Sequence, residues 1–270
     1  MIAEKIKRIT TKVIIEMKAR REKITALTAY DYIIASMLDE SGIEVILVGD
    51  SLGNVFQGQE TTLPVTVDEI IYHTKAVRKG VKHSLLVVDM PFLSYQISIE
   101  DAVRNCGRVL KETGAEAVKI EGGKPMIETI RRLVDIGIPV MGHIGLTPQS
   151  IHKFGSYDVR GREKGEAENI LRDAKALEKA GVFSIVLEKI PSSLAKKITK
   201  SVSIPTIGIG AGPHCDGQIL VVYDMLGMFE DFQPRFARKY AELTKTIKSS
   251  FKNYVKDIKA GNFPNKEESF

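Results

Sequence analysis

Six titratable residues sit at the ends of short aliphatic runs or within them: Asp50, Asp89, Lys119, Glu121, His143 and Glu188. Asp50 follows Glu44–Gly49, Asp89 closes Leu85–Asp89, Lys119 and Glu121 lie in Ala117–Glu121, His143 in Pro139–Gly145, and Glu188 closes Ser184–Glu188. Such runs read as buried parallel strands, and ligands bind where those strands end. Taken alone, Asp50 reads equally well as a cap or turn residue, and His143 as a hydrogen-bonded core residue. The recurrence gives the pattern its weight.

Side chains alternate faces along a strand. Lys119 and Glu121 therefore point the same way, into a barrel, while Val118 and Ile120 face the surrounding helices. Asp50, Asp89, Glu121 and Glu188 put four carboxylates at one rim beside one lysine. Crowding like charges is costly unless positive charge sits among them. Lys119 supplies one charge, and a divalent cation would supply the rest. An all-oxygen donor set without thiolates suits Mg²⁺ or a relative, and His143 alone does not make a zinc site. A 2-oxo acid could chelate such an ion, which would stabilise the enolate formed when the neighbouring carbon loses a proton to a carboxylate base. The residue chemistry leads to metal-dependent enolate chemistry and no further.

The elements that must position these groups alternate. Strands are expected at Ile24–Ala29, Glu44–Gly49, Ser84–Met90, Ala117–Glu121, Pro139–Gly145, Ser184–Glu188, Pro205–Gly210 and Ile219–Tyr223, with helical patterns between most of them and a short helix over Thr10–Arg20 before the first. Gly114, Gly137 and Gly181 stand where helices end in a left-handed residue. Eight strands alternating with helices favour an α/β fold, a (β/α)8 TIM barrel over residues 1–270 as a single domain. A doubly wound sheet would want a Gly-rich turn after its first strand, and Thr28-Ala29-Tyr30-Asp31 is not one. Between the last two strands, Ala211–Gln218 is too short for a crossover helix. Two long connections, Ser51–Thr66 and Leu146–Gly165, read as lids or binding walls; the second carries Gln149, His152, Lys153, Tyr157, Arg160 and Arg162. Gly208 and Gly210 leave one strand face bare. That face either opens the barrel mouth or packs tightly, and the sequence favours neither.

At 270 residues with 43% hydrophobic content, the chain can bury a full core. Its apolar runs fall short of a membrane span and its first residues lack a signal core, which reads as cytoplasmic. Cys106 and Cys215 read as free thiols. The +5 net charge resides in residues 235–270, where Phe236, Tyr240, Leu243, Ile247, Phe251, Tyr254 and Ile258 recur at helical spacing. That pattern is a long C-terminal amphipathic helix with a solvated basic face, not a nucleic-acid binding surface.

Several stretches resemble the ketopantoate hydroxymethyltransferase family. They are Thr25–Asp31, Val48–Gly53, Thr61–Thr66, Val118–Gly123, Gly142–Ser150, Val186–Glu188 and Ile207–Gly212. Ser156 stands where that family usually has Gly, and Tyr223 where His is common. The resemblance implies transfer of a one-carbon unit from 5,10-methylenetetrahydrofolate to 3-methyl-2-oxobutanoate, giving 2-dehydropantoate on the way to pantothenate. It implies that Asp50 and Asp89 bind Mg²⁺ in contact with the substrate, with Glu121 at the metal directly or through water. It further implies that Ser51 and Lys119 hold the substrate, that Glu188 is the base, and that the assembly is a homodecamer. The enzymatic rival is a Mg²⁺-dependent lyase or mutase of the phosphoenolpyruvate mutase and isocitrate lyase group, whose lyase branch adds a loop cysteine. A non-catalytic scaffold would show eroded strand ends.

Overall fold

Aliphatic runs buried on both faces need partners on both edges, and here the partnering continues all the way round. In the computed structural model, which describes residues 8–229 and 234–270, the strands are β1 (Ile24–Thr28), β2 (Val45–Val48), β3 (Leu85–Asp89), β4 (Ala117–Glu121), β5 (Val140–Gly145), β6 (Ser184–Glu188), β7 (Thr206–Ile209) and β8 (Gly217–Leu220). They form one closed barrel in sequence order, every neighbouring pair parallel. The helices are α1 (Thr11–Arg20), α2 (Tyr32–Glu40), α3 (Leu52–Val55), α4 (Val67–Gly80), α5 (Ile99–Thr113), α6 (Ile127–Asp135), α7 (Ile151–Phe154), α8 (Lys164–Lys179), α9 (Ser192–Ser201), α10 (Val222–Leu226) and α11 (Leu243–Ala260). The chain divides into two compact units, the first ending at Val221 and the second beginning at Val222. The barrel and α1 to α9 make up the first unit.

Helix α1 closes the barrel at the end away from the charged residues. Thr10 caps it by accepting the Val13 N–H. Ile14 and Met17 then pack with Ile24, Ala26, Ile207 and Ile219 in the core. The inward row continues through Val45, Leu47, Leu85, Val87, Ala117, Met141 and Val186. With period two, the next inward position on β3 is Asp89, on β4 Lys119 and Glu121, on β5 His143 and on β6 Glu188. The core thus becomes charged only at the carboxyl ends of the strands. Gly114, Gly137 and Gly181 have φ of 71°, 90° and 94°, the left-handed conformation expected of them.

The eighth strand is Gly217–Leu220 rather than Ile219–Tyr223, because pairing with β1 sets its register from Ile24↔Gly217. Gly217 is where the backbones crowd: a Cβ there would lie 2.4 Å from the Ile24 carbonyl oxygen. Val222 and Tyr223 belong instead to α10. Residues 210–216 make a turn without a helix, as their number required.

In the second unit, α11 starts at Leu243, later than the Phe236 to Ile258 periodicity predicts. Phe236 and Tyr240 precede it in turns, with the Ala237 N–H bonded to the Pro234 carbonyl and the Tyr240 N–H to Met225. These bonds take backbone groups that a helix would need.

Asp39, near the end of α2, pins the start of β3. Its buried carboxylate accepts the backbone N–H groups of Lys82, His83 and Ser84 and the Ser84 hydroxyl. Burial pushes its pKa up, the Ser84, His83 and Lys82 donors pull it down, and the net is a lowered value. A lowered folded-state pKa stabilises above the unfolded pKa and loses that contribution as pH falls through the folded one. Asp39→Ala orphans those donors and should cost about 2–4 kcal/mol in urea unfolding at pH 7. The gap to wild type should shrink on acidification below about pH 4.

Candidate active site

Strand register brings the charged residues together. Asp89 pairs with Lys119, Glu121 with His143, and Gly145 with Glu188. Asp50 comes one residue after Gly49, where β2 has ended. Asp50, Asp89, Lys119, Glu121 and His143 are all buried. Lys119 Nζ lies 2.7 Å from Asp89 Oδ1, 3.8 Å from Glu121 Oε1 and 3.3 Å from His143 Nδ1. His143 joins two carboxylates, with Nδ1 3.3 Å from Glu121 Oε1 and Nε2 3.3 Å from Glu188 Oε2. Five groups from four strands thus form one connected cluster, and Asp50 lies beside its Asp89 and Glu121 carboxylates.

The electrostatics follow from burial and crowding. Burial raises the Asp50 carboxyl well above its ordinary range, and the charges of Asp89 and Glu121 add to that. Burial also raises Asp89, against the pull of Lys119. For Lys119 burial acts downward, but Asp89, Glu121 and Asp50 together hold the ammonium above its usual value. Burial pushes Glu121 up, yet the contact with His143 and the Lys119 charge bring it below its usual value. For His143, burial and Lys119 act downward, the contacts to Glu121 and Glu188 act upward, and the net is a rise to about 9. The cluster is a site where charge is held against its own repulsion, the condition a bound cation relieves.

The donors suit such a cation. Ligand oxygens of Asp50, Asp89 and Glu121 lie within 4.8 Å of one another, the one grouping of this kind among the described residues. Asp89 Oδ1 is buried with no hydrogen-bond donor aligned on it, Lys119 meeting it as an ion pair only. An all-carboxylate, oxygen-only set fits a hard divalent ion.

The remaining predicted site residue, Ser51, lies one position further along, its Oγ 2.8 Å from the Tyr30 hydroxyl. Sequence reasoning assigned no role to Gln149, Tyr95 or Tyr30, and all three are hydrogen-bonded to candidate site residues or to one another. Gln149 Nε2 donates to Asp50 Oδ2 and to the Met90 carbonyl, each at 2.9 Å. Its backbone N–H donates to Glu121 Oε2 at 3.1 Å. Tyr95 donates its hydroxyl to Gln149 Oε1 at 2.8 Å and accepts the Glu121 N–H. The only early signals were that Gln149 falls in a long loop and that Gln149 and Tyr30 fall in family-like stretches.

The bare glycine face of β7 turns away from the mouth. Ile207 and Ile209 look inward, while a Cβ on Gly208 would lie 2.9 Å from Cys215 Sγ. Glu188 therefore stands beside Ile209, not beside an open face. Gly145 allows a close approach of two backbones: its φ is +101°, and a Cβ would meet the Glu188 carbonyl oxygen at 2.2 Å. There Leu146 donates its N–H to the Glu188 carbonyl and Arg160 donates to that of Lys189, docking the 146–163 loop on β6. Lys189 holds the left-handed φ of 44° that a non-glycine residue seldom adopts, and its Nζ donates to the Tyr157 carbonyl. Neither cysteine stands at the site: Cys106 is buried in α5 with its thiol pushed up to about 12, and Cys215 packs under β7.

Fold and site together define a (β/α)8-barrel enzyme whose mouth is lined by carboxylates placed to hold a cation. The sequence profile described as ketopantoate hydroxymethyltransferase matches residues 8–266. The chain belongs to that family. It is 56% identical over 272 residues to the 3-methyl-2-oxobutanoate hydroxymethyltransferase of Chlorobaculum parvum, spanning 99% of this chain and 98% of the relative. It is 54% identical to the protein of the same name from Syntrophus aciditrophicus, spanning 98% and 97%. Among solved structures it is similar to phosphonopyruvate hydrolase in complex with oxalate and Mg²⁺, with TM-score 0.62 at 10% identity over 96% of this chain and 92% of that one. It is also similar to 2,3-dimethylmalate lyase of the PEP mutase/isocitrate lyase superfamily, with TM-score 0.58 at 13% identity over 96% and 91%. Those structures share the fold. The family assignment favours the transferase over the lyase or mutase alternative.

Proposed function

We propose that this enzyme transfers a hydroxymethyl group from 5,10-methylenetetrahydrofolate to 3-methyl-2-oxobutanoate, giving 2-dehydropantoate in the first step towards pantothenate. With water the equation balances: the two bonds from the methylene carbon to the folate nitrogens break, that carbon bonds to C3 of the 2-oxo acid and takes the hydroxyl of water, and the C3 proton and the remaining water proton go to the two nitrogens, leaving tetrahydrofolate. The observation that carries the reading is the buried convergence of Asp50, Asp89 and Glu121 beside Lys119 in a chain so similar to enzymes of that name.

Mg²⁺ held by Asp50, Asp89 and Glu121 would draw electron density from the keto group and so acidify C3. The protein's own groups do the rest. Lys119, anchored on Asp89, meets the substrate carboxylate. Ser51, held by Tyr30, orients the same end of the molecule. Glu188 takes the C3 proton, and His143 holds its Oε2 in place. The loop docked on β6 limits water at the mouth. The same reading includes a cytoplasmic homo-oligomer, a homodecamer by family resemblance.

The test is an assay with 3-methyl-2-oxobutanoate, 5,10-methylenetetrahydrofolate and Mg²⁺. 2-Dehydropantoate formation dependent on all three supports the reading; cleavage of a 2-oxo acid without folate would support the lyase alternative instead. Within that assay, Lys119→Ala should raise the apparent KM for the 2-oxo acid by about 100-fold, the loss of one buried charge-assisted bond. The KM for the folate should move far less. Equal losses for both would assign Lys119 a structural role.

A further inference from the structure

Gln149 has no part in the reaction steps above, yet its hydrogen bonds reach two of the three candidate metal carboxylates. Its side chain is buried, and all of its polar capacity is used. The amide orientation is fixed by chemistry. The Met90 carbonyl can only accept, so the atom facing it at 2.9 Å must be Nε2. The second Nε2 proton then points at Asp50 Oδ2. On the other side, Oε1 accepts from the Tyr95 hydroxyl at 2.8 Å and from Gln96 Nε2 at 3.1 Å. The backbone N–H of the same residue occupies Glu121 Oε2.

One residue thus claims one oxygen on each of Asp50 and Glu121. A carboxylate with one oxygen tied to a donor offers the other as a single-point ligand in a fixed direction. We propose that Gln149 is a positioning residue for the cation: it holds Asp50 and Glu121 so that each presents one oxygen to the ion, and it ties that geometry to the loop over the mouth. The inference rests on the metal reading above and adds a residue that touches neither the ion nor the reacting carbon. A merely structural glutamine would affect folding and leave the ion's affinity alone.

The experiment titrates Mn²⁺ into the full-length protein, with free Mn²⁺ read by electron paramagnetic resonance and Mg²⁺ added as competitor. Two variants are compared with wild type. Gln149→Met keeps the volume and removes both donors. Gln149→Glu keeps the shape and the acceptor facing Tyr95 but sets an oxygen against Asp50 Oδ2. Loss of an outer partner of a metal ligand typically costs 10–100-fold in affinity, and that weakening is expected for each variant whose cation-free form unfolds cooperatively near the wild-type temperature. Activity lost at low Mg²⁺ should return at saturating Mg²⁺, which a misfolded barrel would not show. Wild-type affinity in either folded variant, or activity that excess Mg²⁺ does not restore, overturns the proposal. A wild-type protein that binds no Mn²⁺ overturns the metal reading itself, and this one with it.

Discussion

Replacing Glu188 with Gln should stop exchange of the substrate's C3 hydrogen with deuterated water while Mg²⁺ and 3-methyl-2-oxobutanoate still bind. C3 carries one hydrogen and two methyl groups, so its proton must leave before a new bond can form. The base must be anionic and must not be spent as a metal ligand. Asp50, Asp89 and Glu121 converge within 4.8 Å, and Glu188 is not among them. It stands on β6, connected to that group through His143 at 3.3 Å, with a side chain still 16% accessible. Gln keeps the size and one acceptor but cannot take the proton. General-base catalysis is worth about 10²–10⁴-fold, and a loss of that size is expected. The exchange needs no folate, which separates proton removal from one-carbon transfer. Exchange at the wild-type rate in the variant would place the base elsewhere.

Removing the charge of Asp89 should abolish Mg²⁺-dependent turnover, and EDTA should inhibit the wild type. Asp89 ends β3 at 3% exposure, and its Oδ1 has no aligned hydrogen-bond donor. Asp89→Asn preserves the shape and replaces one oxygen with a donor that repels a cation, and Asp89→Ala removes the ligand altogether. Losing several kcal/mol of charge stabilisation corresponds to a rate loss on the order of a thousandfold. Full activity in chelator, from protein holding no metal, would end the cation reading. The two experiments divide the site: the Glu188 variant should still bind the ion, and the Asp89 variants should not.

The sequence by itself determined the barrel and which charged residues stand at the ends of its strands. Aliphatic runs closed by Asp50, Asp89, Glu121 and Glu188 are local signals, because a buried strand needs apolar neighbours whatever its partners are, and period two assigns Lys119 and Glu121 to one face. Family-like stretches along the chain carried the activity. Only the tertiary structure decided the connections. Gln149 and Asp50 lie 99 residues apart, and no local pattern shows that one amide would hold that carboxylate. His143 bridges Glu121 and Glu188 because β5 lies between β4 and β6 in the closed order. The inward face of β7 and the start of β8 depended on register, which neighbouring strands impose through backbone pairing. In each case the deciding energy belongs to contacts between elements, and a sequence read one segment at a time carries only the part that each element supplies alone.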